Sequence, residues 1–367
     1  MEITNVRTVR LRAGLDRPLG VSDDRTIDAR TACLVVVETD AGVRGVGEAV
    51  GPPSAVTERI VDERLAPRLA GADPLAVERQ WRRLLTDDLY KERKGAVVAA
   101  VSGVDIALWD IAGRTRDEPV YRLLGGDTGG TGSLRAYASD LFWDDPERMA
   151  DRAASYVEQG FTGVKCHLGR GLAADEARVA ALRDAVGDAA LMVDLNCGYD
   201  RAEARRVGQM LADYDVYWYE EPLAPHDVAG LADLARSLDV PLATGENEYT
   251  KWGFRDLFEA GAVDYAMPDA MRCGGLTEAK KICALAEAHG VTVTPHCFTT
   301  GVGLAATMHL AAATPAFEWL EFDVTDFPLF GSLLAEPLTV EDGRVTLPEA
   351  PGLGVDIDVP AVEEYRV

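Results

Sequence analysis

Three short apolar runs, each closed by an acid, set the rhythm of the chain: LMVDLN (191–196), YWYEEP (217–222) and PLATGENE (241–248). Each is too short for a helix and rich in β-branched, aromatic and aliphatic residues, the pattern of a buried strand. Between them, RAEARRVGQMLADY (201–214) and DVAGLADLARSL (227–238) repeat apolar residues at helical spacing. Strand, helix, strand at this repeat predicts βαβ units and a parallel sheet. The alternation begins near Leu134, with candidate strands at 134–139, 163–168, 191–196, 217–221, 241–246, 264–269, 291–296 and 318–322. Gly160, Gly187, Gly261 and Gly290 end four of the helices that lead into them. Eight such units predict an α/β fold closed as a (β/α)8 TIM-type barrel. The last strand has no clear helix after it, so the expected form is (β/α)7β-like. An open doubly wound sheet would need a GxGxxG turn or a reversal of strand order, and the sequence offers neither.

The flanks read differently. Residues 3–49 read as an antiparallel meander: TACLVVVET (31–39) is a strand, Asp40-Ala41-Gly42 a turn, and VRGVGEAV (43–50) its partner. The polar stretch GLDRPLGVSDD (14–24) reads as a mobile loop. Residues 55–115 read as helical and end in the strongly periodic AVVAAVSGVDIALWDIAGR (96–114). The expected organisation is a small α+β unit over 1–118, the barrel over 119–336, and a tail over 337–367 that returns to the first unit. Pro119 and the glycines of LGGDTGGTGS (124–133) mark the first boundary.

Composition narrows the function. A chain of 367 residues with 47% apolar content has room for a barrel of about 250 residues and a second unit. A net charge of −24 argues against nucleic acid and anionic membranes as partners. No run reads as long and apolar enough to span a membrane, and MEITNVRTVRLRA lacks the apolar stretch of a signal peptide. Cys33, Cys166, Cys197, Cys273, Cys283 and Cys297 show no paired spacing, which predicts reduced thiols in a cytoplasmic protein. Lysine is confined to positions 91, 94, 165, 251, 280 and 281. That acid-rich, Lys-poor balance suits a high-salt cytoplasm, and a GC-rich genome produces the same bias.

Ligands of parallel sheets gather at the carboxyl ends of the strands, where Asp194, Glu220 and Glu246 lie. Three convergent carboxylates would repel one another unless a cation joined them, and a set with neither Cys nor His favours Mg2+. The alternative reading is three separate helix N-caps, but caps need not recur in register. Lys165 and His167, two apart on the second strand, share a face toward the barrel mouth. Asp194 and Asn196 repeat that arrangement on the third. The sixth strand ends in Asp269 and the seventh in His296, a carboxylate beside an imidazole. The eighth offers Glu321, with Glu318 nearby. His226, in the loop after Glu221-Pro222, reads either as a substrate contact over the mouth or, equally, as a solvated loop residue. His289 and His309 receive no role.

In its ordered motifs the sequence resembles the enolase superfamily and, within it, the mandelate racemase subgroup. The residues that carry this are VKCH (164–167), VDLN (193–196), YEEP (219–222), GEN (245–247), MPDAMRCGG (267–275), PH (295–296) and WLEF (319–322), with DIALWDIAGR (105–114) and GVRGVGEA (42–49) in the first unit. The resemblance implies that Asp194, Glu220 and Glu246 hold Mg2+, that Asp269 and His296 form a dyad, and that Glu321 faces the substrate carboxylate. It also implies a capping domain whose residues around 14–30 and 51–56 close the site, and a homo-octamer or dimer. The shared step is removal of a proton α to a carboxylate, with Mg2+ neutralising the charge that develops.

One position departs from the subgroup. Its second-strand motif is commonly Lys-x-Lys, whereas this chain has Lys165-x-His167. Either His167 takes the proton, or it holds Lys165, or His296 does both jobs. Asp269 in place of a lysine argues against the muconate cycloisomerase pattern. The favoured expectation is dehydration of a sugar acid, an aldonate or aldarate, to a 2-keto-3-deoxy acid. Racemisation or epimerisation of a 2-hydroxy acid and sugar-acid lactone cycloisomerisation are the alternatives. A catalytically silent binding barrel would have lost a metal ligand, and none is lost. A phosphate-handling barrel is disfavoured by the acids that end the eighth strand.

Overall fold

A computed structural model describes residues 1–22, 25–51, 54–86, 92–127 and 132–367. The first unit is a three-stranded antiparallel sheet, β1 (Ile3–Ser22), β2 (Arg25–Thr39) and β3 (Arg44–Glu48), in that order. The helix Ala96–Arg116 lies directly on β3. A Cβ at Gly45 would fall 2.1 Å from Ala107 O, and one at Gly47 would fall 2.2 Å from Gly103 O, so the strand backbone touches the helix backbone. Helices Ser54–Ile60 and Ala66–Leu69, joined by the π-turn Val61–Leu65, and helix Val77–Thr86 complete a separate apolar core.

Two expectations are corrected here. Residues 14–22 form the end of β1 rather than a loop, with register shifts between Gly14 and Leu19 and between Gly20 and Ser22. Leu19 and Val21 pack on Phe142, with Leu15, Ile27 and Phe298 around them, and this tertiary contact overrides the polar composition. Asp23 and Asp24 of that stretch, and 128–131 of the glycine-rich boundary, lie outside the described residues. The second correction concerns membranes. Ala96–Arg116 is long and apolar enough to cross one by composition alone, yet 89% of its apolar window is buried inside the molecule, so it is a core helix.

The barrel strands follow in order: β4 (Ser133–Ser139), β5 (Gly163–His167), β6 (Ala190–Asp194), β7 (Val216–Glu220), β8 (Leu242–Thr244), β9 (Tyr265–Ala266), β10 (Thr292–Val293) and β11 (Leu320–Asp323). Neighbours from β4 to β10 pair in parallel, and β11 pairs in parallel with β4. The bridge Val293–Phe317 closes the ring between β10 and β11. Among the described residues seven helices of ten or more residues connect these strands, whereas β11 is followed only by the short Pro328–Gly331 helix. This is the (β/α)7β form of a TIM-type barrel. Tyr137, Met192, Trp218, Ala243, Met267 and Trp319 fill its interior and make the floor under the strand ends.

The tail touches both parts. Strand β12 (Val340–Glu341) pairs with β13 (Arg344–Thr346), which runs antiparallel to β4. Leu353 N then donates to Asp110 of the Ala96–Arg116 helix (2.8 Å), and Val367 N donates to Arg10 O of β1 (3.1 Å).

Candidate active site

The strand ends converge on a cavity of about 250 Å3. Asp194 and Glu220 are the last residues of β6 and β7, and Glu246 follows β8 by two residues. One carboxylate oxygen from each lies within 4.8 Å of the others. Glu220 is fully buried beside Asp194, and its carboxyl is pushed well above the usual range by burial and by that neighbour. Lys165 Nζ lies 3.1 Å from both Glu220 oxygens and 2.9 Å from Glu321 Oε1. Burial disfavours its charge, but Glu220 and Glu321 outweigh that and hold it well above its ordinary value. Glu321 is further fixed by Ser139 Oγ (2.7 Å) and Cys297 N (2.7 Å). Despite burial, Lys165 and His296 hold its carboxyl far below the carboxylate range.

The two histidines of the site have different surroundings. His167 stacks on Phe142 with ring centres 4.0 Å apart, and its Nδ1 lies 2.9 Å from Asn196 Oδ1. Asn196 Nδ2 donates to Asp194 Oδ2 (3.0 Å), so its oxygen faces the imidazole and Nδ1 carries the proton. Nε2 therefore keeps its lone pair and has no hydrogen-bond partner among the described residues. Burial lowers the pKa of this ring and keeps it neutral. His296 Nδ1 lies 2.9 Å from Asp269 Oδ2, and its Nε2 is 3.2 Å from Glu246 Oε2. Burial opposes its charge, but Glu246, Glu321 and Asp269 raise its pKa to about 10. Both rings line the same cavity, from strands three apart round the barrel one way and five the other.

The predicted residues thus come together, with one exception. His226 is exposed and does not line the cavity. The next residue, Asp227, caps the helix Val228–Ser237 by accepting from Gly230 N (3.1 Å). Asn196 lines the cavity and also bonds to His167 and Asp194. Several lining residues went unassigned in the sequence: Glu221, Asn247 and Arg272 on one side, and Ser139 and Phe298 near Glu321 and His296. Glu221, with φ +42°, accepts from Asn247 Nδ2 (2.9 Å); burial and Glu246 push its carboxyl up to about 8. Arg272 Nη1 donates to Glu246 O (3.1 Å) and Asn247 Oδ1 (2.6 Å). Each adjoins a motif acid or sits inside MPDAMRCGG, which is the only signal the sequence held. From the first unit Val21, Ile27 and Val50 reach the cavity. Pro52 and Pro53, in the second stretch expected to close it, lie outside the described residues.

Residues 3–125 match the family described as Mandelate racemase / muconate lactonizing enzyme, N-terminal domain, and residues 148–362 match the Enolase C-terminal domain-like family. The chain belongs to the enolase superfamily, in its mandelate racemase subgroup. Curated relatives include proteins named as sugar-acid dehydratases and as cycloisomerases. The D-galactarolactone cycloisomerase of Agrobacterium fabrum (strain C58) is 37% identical over 100% of this chain and 99% of its own length. The arabinonate dehydratase of Saccharolobus solfataricus is 34% identical over 90% of this chain and 89% of its own. Among solved structures, a racemase from Streptomyces coelicolor A3(2) with bound magnesium superposes with a TM-score of 0.92 at 32% identity, covering all of both chains. The protein is therefore an enzyme of a superfamily that works with Mg2+, and Asp194, Glu220 and Glu246 form an acidic triad with the donor type and spacing of a metal site.

Proposed function

We propose that the chain dehydrates a sugar acid, an aldonate or aldarate, to a 2-keto-3-deoxy acid with the help of Mg2+. The observation that carries this reading is the placement of two imidazoles on two sides of one cavity: His167, with Nδ1 on Asn196 and Nε2 open, and His296, with Nδ1 on Asp269. Elimination needs one base and one acid at the same moment, and this pair supplies one of each.

The three carboxylates fit a divalent cation by donor type and spacing, and Glu220, pushed up by its neighbour, gains most from a positive charge among them. Bound there, Mg2+ would neutralise the charge that develops on the substrate carboxylate as the α-proton leaves. Lys165 keeps its proton and faces that carboxylate as a fixed charge. Glu321 stays ionised and holds Lys165 and the Cys297 amide in place. Nε2 of His167 takes the α-proton, and the C–H electrons become the new double bond. The bond to the β-oxygen breaks, Nε2 of His296 delivers its proton to that oxygen, and water departs. The enol left behind tautomerises to the ketone.

A second reading, cycloisomerisation, is favoured by the end-to-end match to a lactone cycloisomerase. There the leaving oxygen belongs to a ring and stays attached to the product. The same two imidazoles serve.

The test is a screen of aldonates, aldarates and their lactones with Mg2+, read by semicarbazide for the new ketone and by mass for loss of water. An unchanged mass with a new ketone selects the cycloisomerase. With the substrate in hand, His167→Asn is expected to lower α-proton exchange in D2O by about 10²–10⁴-fold, and His296→Asn to keep exchange but lose elimination by a similar factor. Full exchange in His167→Asn would remove that ring as the base.

A further inference from the structure

The dyad stands beyond the paired parts of its strands. Strands β9 and β10 are two residues long, and Asp269 and His296 each lie three residues beyond the last paired residue, Ala266 and Val293. The last backbone bonds between strands, Met267 N to Thr244 O (3.0 Å) and Thr294 N to Ala266 O (3.0 Å), fall two residues short of the dyad, so loop contacts fix the Asp269–His296 pair, Cys297 N on Glu321 (2.7 Å) from within the barrel and others from outside it.

The first unit provides the outside contacts. Glu48, the last residue of β3, is 1% exposed. Its carboxylate accepts from Thr299 Oγ1, from Thr300 Oγ1 (2.6 Å) and N (3.4 Å), and from Gly303 N (3.1 Å). These donors open the helix Gly301–Ala312, whose own N-cap is Thr300. A carboxylate from another part of the fold thus completes a helix N-terminus that begins five residues after His296. Gly303 is what admits it, because a Cβ there would lie 3.0 Å from Glu48 Oε2 and 2.4 Å from Thr299 Cγ2. Two residues further along, Val50 N donates to Met271 O (3.0 Å), Met271 N donates to Asp269 Oδ1 (2.8 Å), and Asp269 Oδ2 faces His296 Nδ1 (2.9 Å). Val50 itself lines the cavity. One tripeptide, Glu48-Ala49-Val50, therefore grips the His296 loop by a side chain and the Asp269 loop by its backbone.

The geometry points to Glu48 as a positioning residue for the Asp269–His296 dyad, set so that the proton donor is aligned only when the first unit is seated on the barrel. This rests on the proposed use of His296 as the acid, and the experiment separates the two. In the full-length protein with Mg2+, the His296–Asp269 proton is followed as a downfield resonance, assigned by its loss in His296→Asn. Glu48→Ala is expected to shift or erase that resonance and to lower kcat about 10- to 100-fold, with KM and α-proton exchange by His167 within threefold of wild type. Glu48→Gln, whose amide can accept from one threonine hydroxyl and donate to the other, is expected to keep the resonance and stay within threefold in kcat. A Glu48→Ala protein with the resonance in place, or with exchange and elimination falling together, overturns the inference. Should Glu48→Ala not fold, Thr299→Val removes one donor from the same carboxylate; a shifted resonance with a three- to tenfold lower kcat supports the inference, and no change in either overturns it. If wild type turns over no sugar acid, the functional reading fails and the resonance alone decides this one.

Discussion

Three histidines of the chain occupy three electrostatic settings, and the residue letter alone distinguishes none of them. His167 lies against Asn196, His296 lies against Asp269, and His309 is buried where its Nδ1 accepts from Tyr121 N (3.2 Å) while Nε2 has no hydrogen-bond partner among the described residues. Burial pulls His309 down to about 4. In the unfolded chain the same ring titrates near its ordinary 6.5, so between these values the unfolded state takes up a proton that the folded state refuses. Stability is accordingly complete above pH 6.5 and falls as the pH drops toward 4, by up to about 3 kcal/mol from this ring. Urea midpoints at pH 7 and 4.5 should show the loss in wild type and a smaller one in His309→Phe; an equal loss in both would clear His309 of responsibility. At this scale the strand-end acids and His296 were legible because their chemistry is rare and their spacing regular. Asn196 lines the cavity as its strand position implied, while its contacts with His167 and Asp194 depend on side-chain placement that a sequence does not give. Glu221 and Arg272 were invisible as lining residues because charged residues beside ligand motifs are common and only backbone direction, such as the positive φ of Glu221, turns them inward.

Among the elements, periodicity carried the barrel well, since each strand is a compact apolar run and each helix has a stop. It failed on residues 14–22, whose strand character comes from cross-strand and barrel contacts rather than from composition. Two ion pairs hold that arm down, Arg17 to Asp140 (3.0 Å) and Arg30 to Asp323, with Arg30 flanked by the rings of Phe298 and Phe327 at 3.7 and 3.8 Å. Strand β3 was recognised as a strand, but its glycines have a reason that only the packing reveals. Gly47→Ala would drive a methyl group against the Gly103 carbonyl and force β3 off the helix. A loss of about 3 kcal/mol in urea unfolding is expected. A loss below roughly 0.5 kcal/mol would mean that the strand and helix can part without cost. The value of that contact exceeds the local core, because the end of β3 is where Glu48 and Val50 reach the dyad.

Taken whole, the molecule encloses a small cluster of ionisable groups that its own fold makes costly, the four acids Asp194, Glu220, Glu246 and Glu321 with Lys165 and His296 among them. A cation bound only by the folded state adds stability by mass action, about 2.7 kcal/mol at a hundredfold excess over its dissociation constant. Thermal unfolding should therefore move upward with added Mg2+ and return after chelation, and Glu246→Gln should flatten the response. A midpoint indifferent to Mg2+ would take the ion away from these residues. The overall architecture was legible from the chain, including the missing eighth helix, whereas the membrane test shows the limit of composition: an apolar helix in the middle of a large core and one in a bilayer look alike until the neighbours are known. One feature of the ring has a mechanical meaning. Strands β4 to β7 run five to seven residues and carry Lys165, His167, Asp194 and Glu220 at or near their ends, while β8 to β10 run two or three and lead to Glu246, Asp269 and His296. The barrel is stiff on the side that anchors charge and compliant on the side that delivers the proton, so the tolerance of the acid–base step is set by what is pressed onto the compliant half from outside.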